Sequence, residues 1–256
     1  MTTILAVALT LGLAVNLSAQ VPSQLYRSSL SNQLPNQWEF RAPRGPGAPV
    51  PDNRQGGATR GGECIEDKTE LTALVPASGI GLTANEYPTV YWYMPKSSAS
   101  ELEFVLRDAT DREIYSMKYA LAKSPPGVVT GTPGIMSLSV PALAGFSPLE
   151  IGQEYQWSLA LICNPLDRSS DYIVEGKIKR TLPDPTLIQT VQRATPQERI
   201  ALYAQARLWY ETVGTMAELQ RAQPNDYELK QAWRKLLNSV DLDTTFKRRE
   251  LKRVEG

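Results

Sequence analysis

The sequence predicts a mainly β protein, an antiparallel β-sandwich followed by a short helical unit. From Leu71 to Thr181, apolar and polar residues alternate in short runs bounded by turn-forming residues, which is typical of half-buried strands. After Pro196 the apolar spacing becomes helical. We therefore divide the chain into a signal peptide (1–19), a Pro/Gly/Arg-rich disordered linker (20–62), the sandwich (63–182) and a helical unit of about three helices (186–250).

Seven segments carry the strand pattern, at spacings of about ten residues that favour a sandwich. In one of them Leu102, Phe104 and Leu106 share a face. No helical pattern interrupts the series, so a parallel sheet is not expected. The segments are 71–76, 88–95, 101–108, 113–120, 135–140, 154–163 and 171–180.

One local pattern refines this prediction. Leu149, Gly152, Tyr155 and Trp157 have the spacing L-x-x-G-x-x-Y-x-W, which is that of a tyrosine corner. In such a corner a tyrosine near the start of a late strand bonds upstream backbone, and the glycine permits the tight turn. The spacing resembles that of fibronectin type III and related immunoglobulin-like modules.

Two tryptophans have alternative interpretations. Trp92 and Trp157 fit the sandwich core, whereas with Tyr91 and Tyr93 they could also form a platform that stacks on sugars. Alternation places Tyr91 and Tyr93 on the face opposite Trp92, so at most one set is exposed. We interpret both tryptophans as core residues.

The helical unit begins with a capping pattern, because Thr195 precedes Pro196 and Glu198 follows three residues after the threonine. Residues 210–223 form the second predicted helix, residues 224–226 interrupt it, and residues 227–240 form the third. Residues 201–226 resemble a tetratricopeptide repeat, with Arg207 and Thr212 at positions where that family has small residues. Only about one and a half units are present, so the unit is expected to lean on the sandwich or on a partner.

A surface for such a partner is predicted on the helical unit. Trp209, Met216 and Trp233 form an apolar stripe, which would mark an interaction site if it were exposed. If these residues pack on the sandwich instead, the helical unit loses this surface.

The N-terminus favours export. An apolar run from Ile4 to Val15 is too short to span a bilayer and is followed by small and polar residues, with a plausible cut after Ala19. The alternative is a buried N-terminal helix. No other segment is apolar and long enough to cross a membrane, so we expect a periplasmic or secreted protein.

The chain has two cysteines, of which Cys64 opens the predicted sandwich and Cys163 lies near its end. If the protein is exported, we favour a disulfide between them over two unlinked thiols. In the chain-entropy model, closing a loop on the order of 100 residues contributes roughly 4–5 kcal/mol.

Residues 20–62 contain five arginines and two acidic residues, with no apolar periodicity. We interpret this segment as a soluble tether, the alternative being contact with a negative surface such as lipid headgroups. The arginines are Arg27, Arg41, Arg44, Arg54 and Arg60.

Composition limits the chemistry. The chain has no histidine, which removes the usual general base at neutral pH and most zinc sites. The charge is balanced, with 27 basic and 27 acidic residues, so nucleic acid is not an expected partner. We expect no catalytic residue, metal or cofactor. A hydrolase would need paired carboxylates, for which the candidates are Glu101 with Glu103 and Asp108 with Asp111.

The order of the motifs resembles the cyanobacterial domain of unknown function family 928 over about residues 59–242. The resemblance implies export and a sandwich-plus-helices layout, with no catalytic residue. We expect a non-enzymatic adapter of the cell envelope that contacts another envelope protein through its helical unit, or alternatively a structural accessory of the envelope or of secretion. The motifs are TRGGEC (59–64), LTALVP (71–76), YPTVYWYMP (87–95), LEFVLRD (102–108), YQWSLALIC (155–163), ALYAQARLWYET (201–212) and LLNSV (236–240).

Overall fold

A computed structural model of the chain describes Leu34, Pro35, Trp38, Phe40, Arg54 and residues 64–66, 69–121, 134–142 and 147–242. The predicted signal peptide (1–19) lies outside these residues, as do positions 243–256.

In the described part of the chain, eight strands form two sheets. The three-stranded sheet has the order β1-β3-β6 and the five-stranded sheet the order β2-β8-β7-β4-β5. This arrangement agrees with the predicted sandwich. The strands are β1 (Thr72–Ala73), β2 (Ile80–Thr83), β3 (Thr89–Met94), β4 (Glu101–Arg107), β5 (Glu113–Ala120), β6 (Gly134–Ser139), β7 (Glu154–Ile162) and β8 (Tyr172–Arg180).

The sequence did not predict β2, and this strand makes a parallel pair with β8 in which Gly81 faces Ile178. The prediction of a purely antiparallel sandwich is therefore wrong at this pair. The other strand pairs are antiparallel. A four-residue strand that contains a glycine shows too little alternation to be recognised. The parallel pairing is possible because most of the sandwich lies between β2 and β8 in sequence, which supplies the long connection that parallel neighbours need.

The predicted alternation is confirmed in the five-stranded sheet. Leu102, Phe104 and Leu106 of β4 are at most 3% exposed, and the residues between them are half-buried. Trp92 and Trp157 are both buried in the core, as interpreted from the sequence.

Between the last strand and residue 242, where the described residues end, there are four α-helices, one more than predicted. The additional helix, α1, has no buried residue, although Leu187, Ile188 and Val191 lie at helical spacing. The predicted capping box of Thr195 and Glu198 is present at the start of α2, and Asp226 caps α4. The helices are α1 (Pro185–Arg193), α2 (Pro196–Gln205), α3 (Trp209–Ala222) and α4 (Tyr227–Ser239).

Helix α3 contacts β2 and β3, and it packs closely on the three-stranded sheet. A Cβ atom at Gly214 of α3 would lie 2.3 Å from the Tyr91 hydroxyl oxygen, so only glycine allows this approach. Tyr91 and Tyr93 are therefore buried, although they point away from the Trp92 face. The alternative of an exposed aromatic platform is thus wrong, because β3 is covered on both faces.

Two aromatic residues at the start of α3 reach both sheets. The Trp209 indole N–H donates to the Leu74 carbonyl at 2.8 Å. The Trp157 indole N–H donates to the Tyr210 hydroxyl at 3.0 Å, and that hydroxyl donates to the Lys177 carbonyl at 3.1 Å. Strands and helices consequently share one continuous core.

Part of the predicted linker belongs to this core. Trp38, Phe40 and Arg54 are each less than 9% exposed. The Phe40 ring meets Trp209 edge-on with centroids 4.9 Å apart, and the Arg54 guanidinium donates to the Val240 carbonyl at 2.7 Å. The linker prediction is wrong at these positions, because isolated apolar residues can be held by tertiary contacts that leave no periodicity in the sequence.

The predicted disulfide is confirmed. Cys64 and Cys163 are bonded, with their Cα atoms 5.3 Å apart. Among the described residues, no helix has the length and apolar character needed to span a membrane.

Replacing Tyr210 with phenylalanine tests the junction between helix and sheets. Tyr210→Phe deprives the buried Trp157 N–H and the Lys177 carbonyl of their partner, which should lower the free energy of unfolding by about 1–3 kcal/mol. Urea unfolding followed by tryptophan fluorescence measures the difference. Tyr227→Phe, at a position that is 72% exposed, is the matched control and should leave stability unchanged. Equal stability of the two variants would contradict the assigned role of the hydroxyl.

Candidate functional site

The residues predicted to form a partner surface on the helical unit are buried. Trp209 and Met216 are fully buried and Trp233 is 7% exposed, and all three belong to the common core. The stripe is apolar because it packs inside the molecule. Predicting it as a partner site is wrong for this reason.

The first predicted carboxylate pair lies on β4. The Arg168 guanidinium donates to Glu103 at 2.7 Å, and the Lys118 ammonium lies 3.6 Å from the same carboxylate. The hydrogen bond from Arg168 is the main cause that lowers the pKa of Glu103. A general acid requires a raised pKa, so this geometry does not favour Glu103 with Glu101 as an acid–base pair.

The second predicted pair lies at the β4–β5 turn, where Asp108 organises the backbone. One Asp108 oxygen accepts from the Thr110 hydroxyl at 2.6 Å and from the Thr110 and Arg112 backbone N–H groups at 2.9 and 3.1 Å. The other accepts from the Arg112 side chain at 3.0 Å. These bonds, led by that of the Thr110 hydroxyl, lower the pKa of Asp108 to about 2. Asp111 is exposed and has a φ of 64°, so both aspartates serve the turn.

This turn forms one wall of a cavity of about 590 Å³, which we call the corner cavity. Its lining combines the turn, the first residues of β5 and the segment that leads into β7. The lining residues are Asp108, Ala109, Thr110, Arg112, Glu113, Ile114, Ser147, Pro148, Glu150, Gln153, Glu154 and Tyr155.

The other wall is the predicted tyrosine corner. The Tyr155 hydroxyl accepts from the Glu150 backbone N–H at 2.9 Å, and Gly152 has the positive φ, 82°, that the turn requires. Leu149 is buried, and its carbonyl accepts from the Arg180 guanidinium at 2.6 Å. The residues predicted for the corner thus come together, and hydrogen bonds hold both walls of the cavity.

The lining of the corner cavity is negative overall. It includes four carboxylates, from Asp108, Glu113, Glu150 and Glu154, and one guanidinium, from Arg112. The guanidinium is itself bound to Asp108. Glu154 lies 3.6 Å from the Lys179 ammonium on the neighbouring strand. Within the described residues, no group of three side chains is suited to hold a metal ion.

A family model, Domain of Unknown Function (DUF928), matches residues 55–249. The chain belongs to this family. The match covers the sandwich, the corner cavity and all four helices. No curated protein matches the chain, and no solved structure does so.

The sequence of this DUF928 member did not predict the cavity as a whole. Its two walls, residues 108–114 and 147–155, are separated by more than thirty residues, and each was interpreted as a turn on its own. The two walls come together because β5 and β7 both pair with β4. A local sequence pattern does not show which strands pair with each other.

A buried carboxylate on α3 is a second feature that the sequence did not indicate. One Glu211 oxygen accepts from the Thr83 hydroxyl at 2.6 Å and from the Ala84 backbone N–H at 2.9 Å. The other oxygen is buried and has no hydrogen-bond partner among the described residues. Burial is the main cause that raises the pKa of Glu211 above its ordinary value.

The raised pKa makes stability depend on pH in a defined direction. Because the folded state binds the Glu211 proton more tightly than the unfolded state, this residue's contribution is fully present below pH 4.5, its ordinary pKa, and is lost as pH rises through the folded pKa. Glu211→Gln removes this titration, so its melting temperature should gain on that of the native protein as pH rises from about 4.5. Calorimetry over a pH series measures the difference between the two melting temperatures.

Glu70→Gln, at an exposed position outside the helices and strands, is the control, and its melting temperature should not gain on that of the native protein as pH rises. If the melting temperatures of Glu211→Gln and the native protein differ by the same amount at every pH, the raised pKa assigned to Glu211 is contradicted.

Proposed function

We propose that this protein is a non-enzymatic binding protein of the cell envelope that holds a cationic segment of another protein in the corner cavity. The observation that carries the proposal is the cavity itself. A volume of about 590 Å³ is within the range of ligand sites, roughly 300–1,000 Å³. Its walls are fixed by the Asp108 turn and the tyrosine corner, so little ordering is needed on binding.

The charge of the lining supports a cationic ligand. Three glutamates, at positions 113, 150 and 154, face a cavity whose one guanidinium is already held by Asp108. Apolar contact is available from Ile114, Pro148 and Tyr155. This combination suits lysine or arginine side chains of a polypeptide, whose stems bind apolar surface while their charged ends reach carboxylates.

An adapter role follows from a site that binds a protein segment. The alternative, a structural accessory of the envelope or of secretion, relied on an exposed stripe at Trp209, Met216 and Trp233, and their burial removes that support. We therefore move the proposed partner site from the helical unit to the corner cavity.

We also propose finer assignments for the two parts of the fold. The Tyr155 hydrogen bond and the turn at Gly152 support a sandwich of the immunoglobulin or fibronectin III type. The α2–α3 pair supports a likeness to one tetratricopeptide unit, in which neighbouring repeats are replaced by the three-stranded sheet.

Export of the chain is the second part of the proposal. The apolar run from Ile4 to Val15 supports a signal peptide, and the Cys64–Cys163 bond supports an oxidising compartment such as the periplasm. When the full chain is expressed in its host, mass spectrometry of the envelope fraction should find an N-terminus at Gln20. An intact N-terminus on protein that remains in the cytoplasm would overturn this part alone.

The binding site is tested with a fluorescent hepta-arginine peptide by anisotropy. The peptide should bind the native protein in a salt-dependent manner. The triple variant Glu113→Gln/Glu150→Gln/Glu154→Gln should bind it about tenfold more weakly, because three exposed charge contacts of ~0.5 kcal/mol each are lost.

The matched control is the triple variant Glu70→Gln/Glu218→Gln/Glu228→Gln. It has the same net charge, but its three substitutions lie at exposed positions outside the cavity. It should bind as the native protein does. If both triple variants lose affinity equally, the peptide responds only to overall charge and the cavity is not its site.

A further inference from the structure

Among the described residues, β5 is one of the two outer strands of the five-stranded sheet and has no neighbour on its outer side. It spans eight residues, whereas the outer strands β1, β2 and β6 have two, four and six. Natural edge strands are usually short, interrupted by proline or bulges, or charged. β5 has no proline, its irregularity is confined to the start, opposite Leu106 and Arg107, and beyond that start Lys118 is its one charged residue. Its open side is therefore suited to pair with another strand.

The side chains of β5 support the same conclusion. Tyr115, Met117 and Tyr119, which we call the β5 strip, pair with the buried residues Leu106, Phe104 and Leu102 of β4. They therefore lie on the inner face of the sheet. Yet Met117 is 41% exposed, whereas Phe104 is fully buried. The strip thus continues the core beyond the part that the three-stranded sheet covers.

The strip is internally ordered. The Tyr115 ring packs on Phe104 with centroids 6.1 Å apart, and the hydroxyl groups of Tyr115 and Tyr119 lie 3.3 Å apart. Burial and this hydrogen bond raise the pKa of Tyr119 to about 12. A partner strand would meet a preformed apolar row with both phenol groups already placed.

We infer that a second copy of this chain pairs with β5, joining two five-stranded sheets across a two-fold axis at Met117. In this antiparallel register Met117 faces Met117 of the second copy, and Tyr115 faces its Tyr119. On the outer face, Ser116 lies opposite Lys118. Apolar residues meet apolar ones on the inner face, and no two like charges oppose each other.

Self-complementarity selects a second copy over an unrelated strand. A two-fold interface requires one surface to match itself, and β5 does so in a register centred on a half-exposed methionine. Lys118 lies 3.6 Å from Glu103 of its own chain, and in this register it faces Ser116 of the second copy rather than another charged residue. The corner cavity lies at the start of β5. Its turn wall and its tyrosine-corner wall come from the same chain, so the interface does not divide the cavity.

The test is the oligomeric state of the protein purified after expression of the full chain, measured by sedimentation velocity. The native protein should be a dimer. Met117→Lys and Met117→Glu should each be monomeric, because each places two like charges at the two-fold axis, while a mixture of the two variants should restore the dimer. Ile151→Lys, at another exposed apolar position (53%), should remain dimeric.

Two outcomes overturn the inference: a native protein that is monomeric at all concentrations, or a dimer that Met117→Lys leaves intact. A cross-link gives a measurement that does not depend on charged variants folding. Facing residues of antiparallel strands have Cα atoms about 4.5–5.5 Å apart, within the range of a disulfide. Met117→Cys should therefore give a covalent dimer on oxidation, and Ile151→Cys should not. Equal cross-linking of the two variants would also overturn the inference.

Discussion

The insertion of Trp209 and Tyr210 between the two sheets is the interaction on which the rest of the structure depends. Each aromatic side chain fills space in the core and also satisfies a buried polar group, namely the Leu74 carbonyl, the Trp157 indole and the Lys177 carbonyl. Buried polar groups that lose their partners are costly, so these bonds fix the angle and depth of α3. Because that helix is fixed, strands and helices share one core rather than forming two independent modules.

The position of α3 decides which surfaces are free to bind. The helix contacts β2 and β3, so it covers the outer face of the three-stranded sheet and approaches one edge of the five-stranded sheet. The residues with the strongest apolar signal in the helical unit are used for this contact and are not available to a partner. Binding surfaces are therefore expected at the other end of the five-stranded sheet, where β5 and the corner cavity lie.

Local patterns in the sequence predicted what local physics determines. Alternation gave the inner faces of β4 and β7, the Thr195–Glu198 pair gave a helix start, and the glycine and tyrosine spacing gave the corner. Features that arise from tertiary contact were missed or misinterpreted. The sequence of an apolar stripe is the same whether the stripe packs within its own chain or on a partner. These features are β2, the burial of Trp38 and Tyr91, and the stripe at Trp209, Met216 and Trp233.

Two of the residues considered for acid–base chemistry are held by hydrogen bonds, and one of them, Asp108, lines the corner cavity. Asp108 and Glu103 are held ionised by hydrogen bonds and by neighbouring cations, so each is a poor proton donor near neutral pH. The described carboxylate whose pKa is raised, Glu211, lies on α3, where its bonds to Thr83 and Ala84 tie the helix to the end of β2. Glu211, the carboxylate with the raised pKa, thus stabilises the fold, while fixed negative charge faces the cavity. Fixed charge on rigid walls is what recognition of a cation requires.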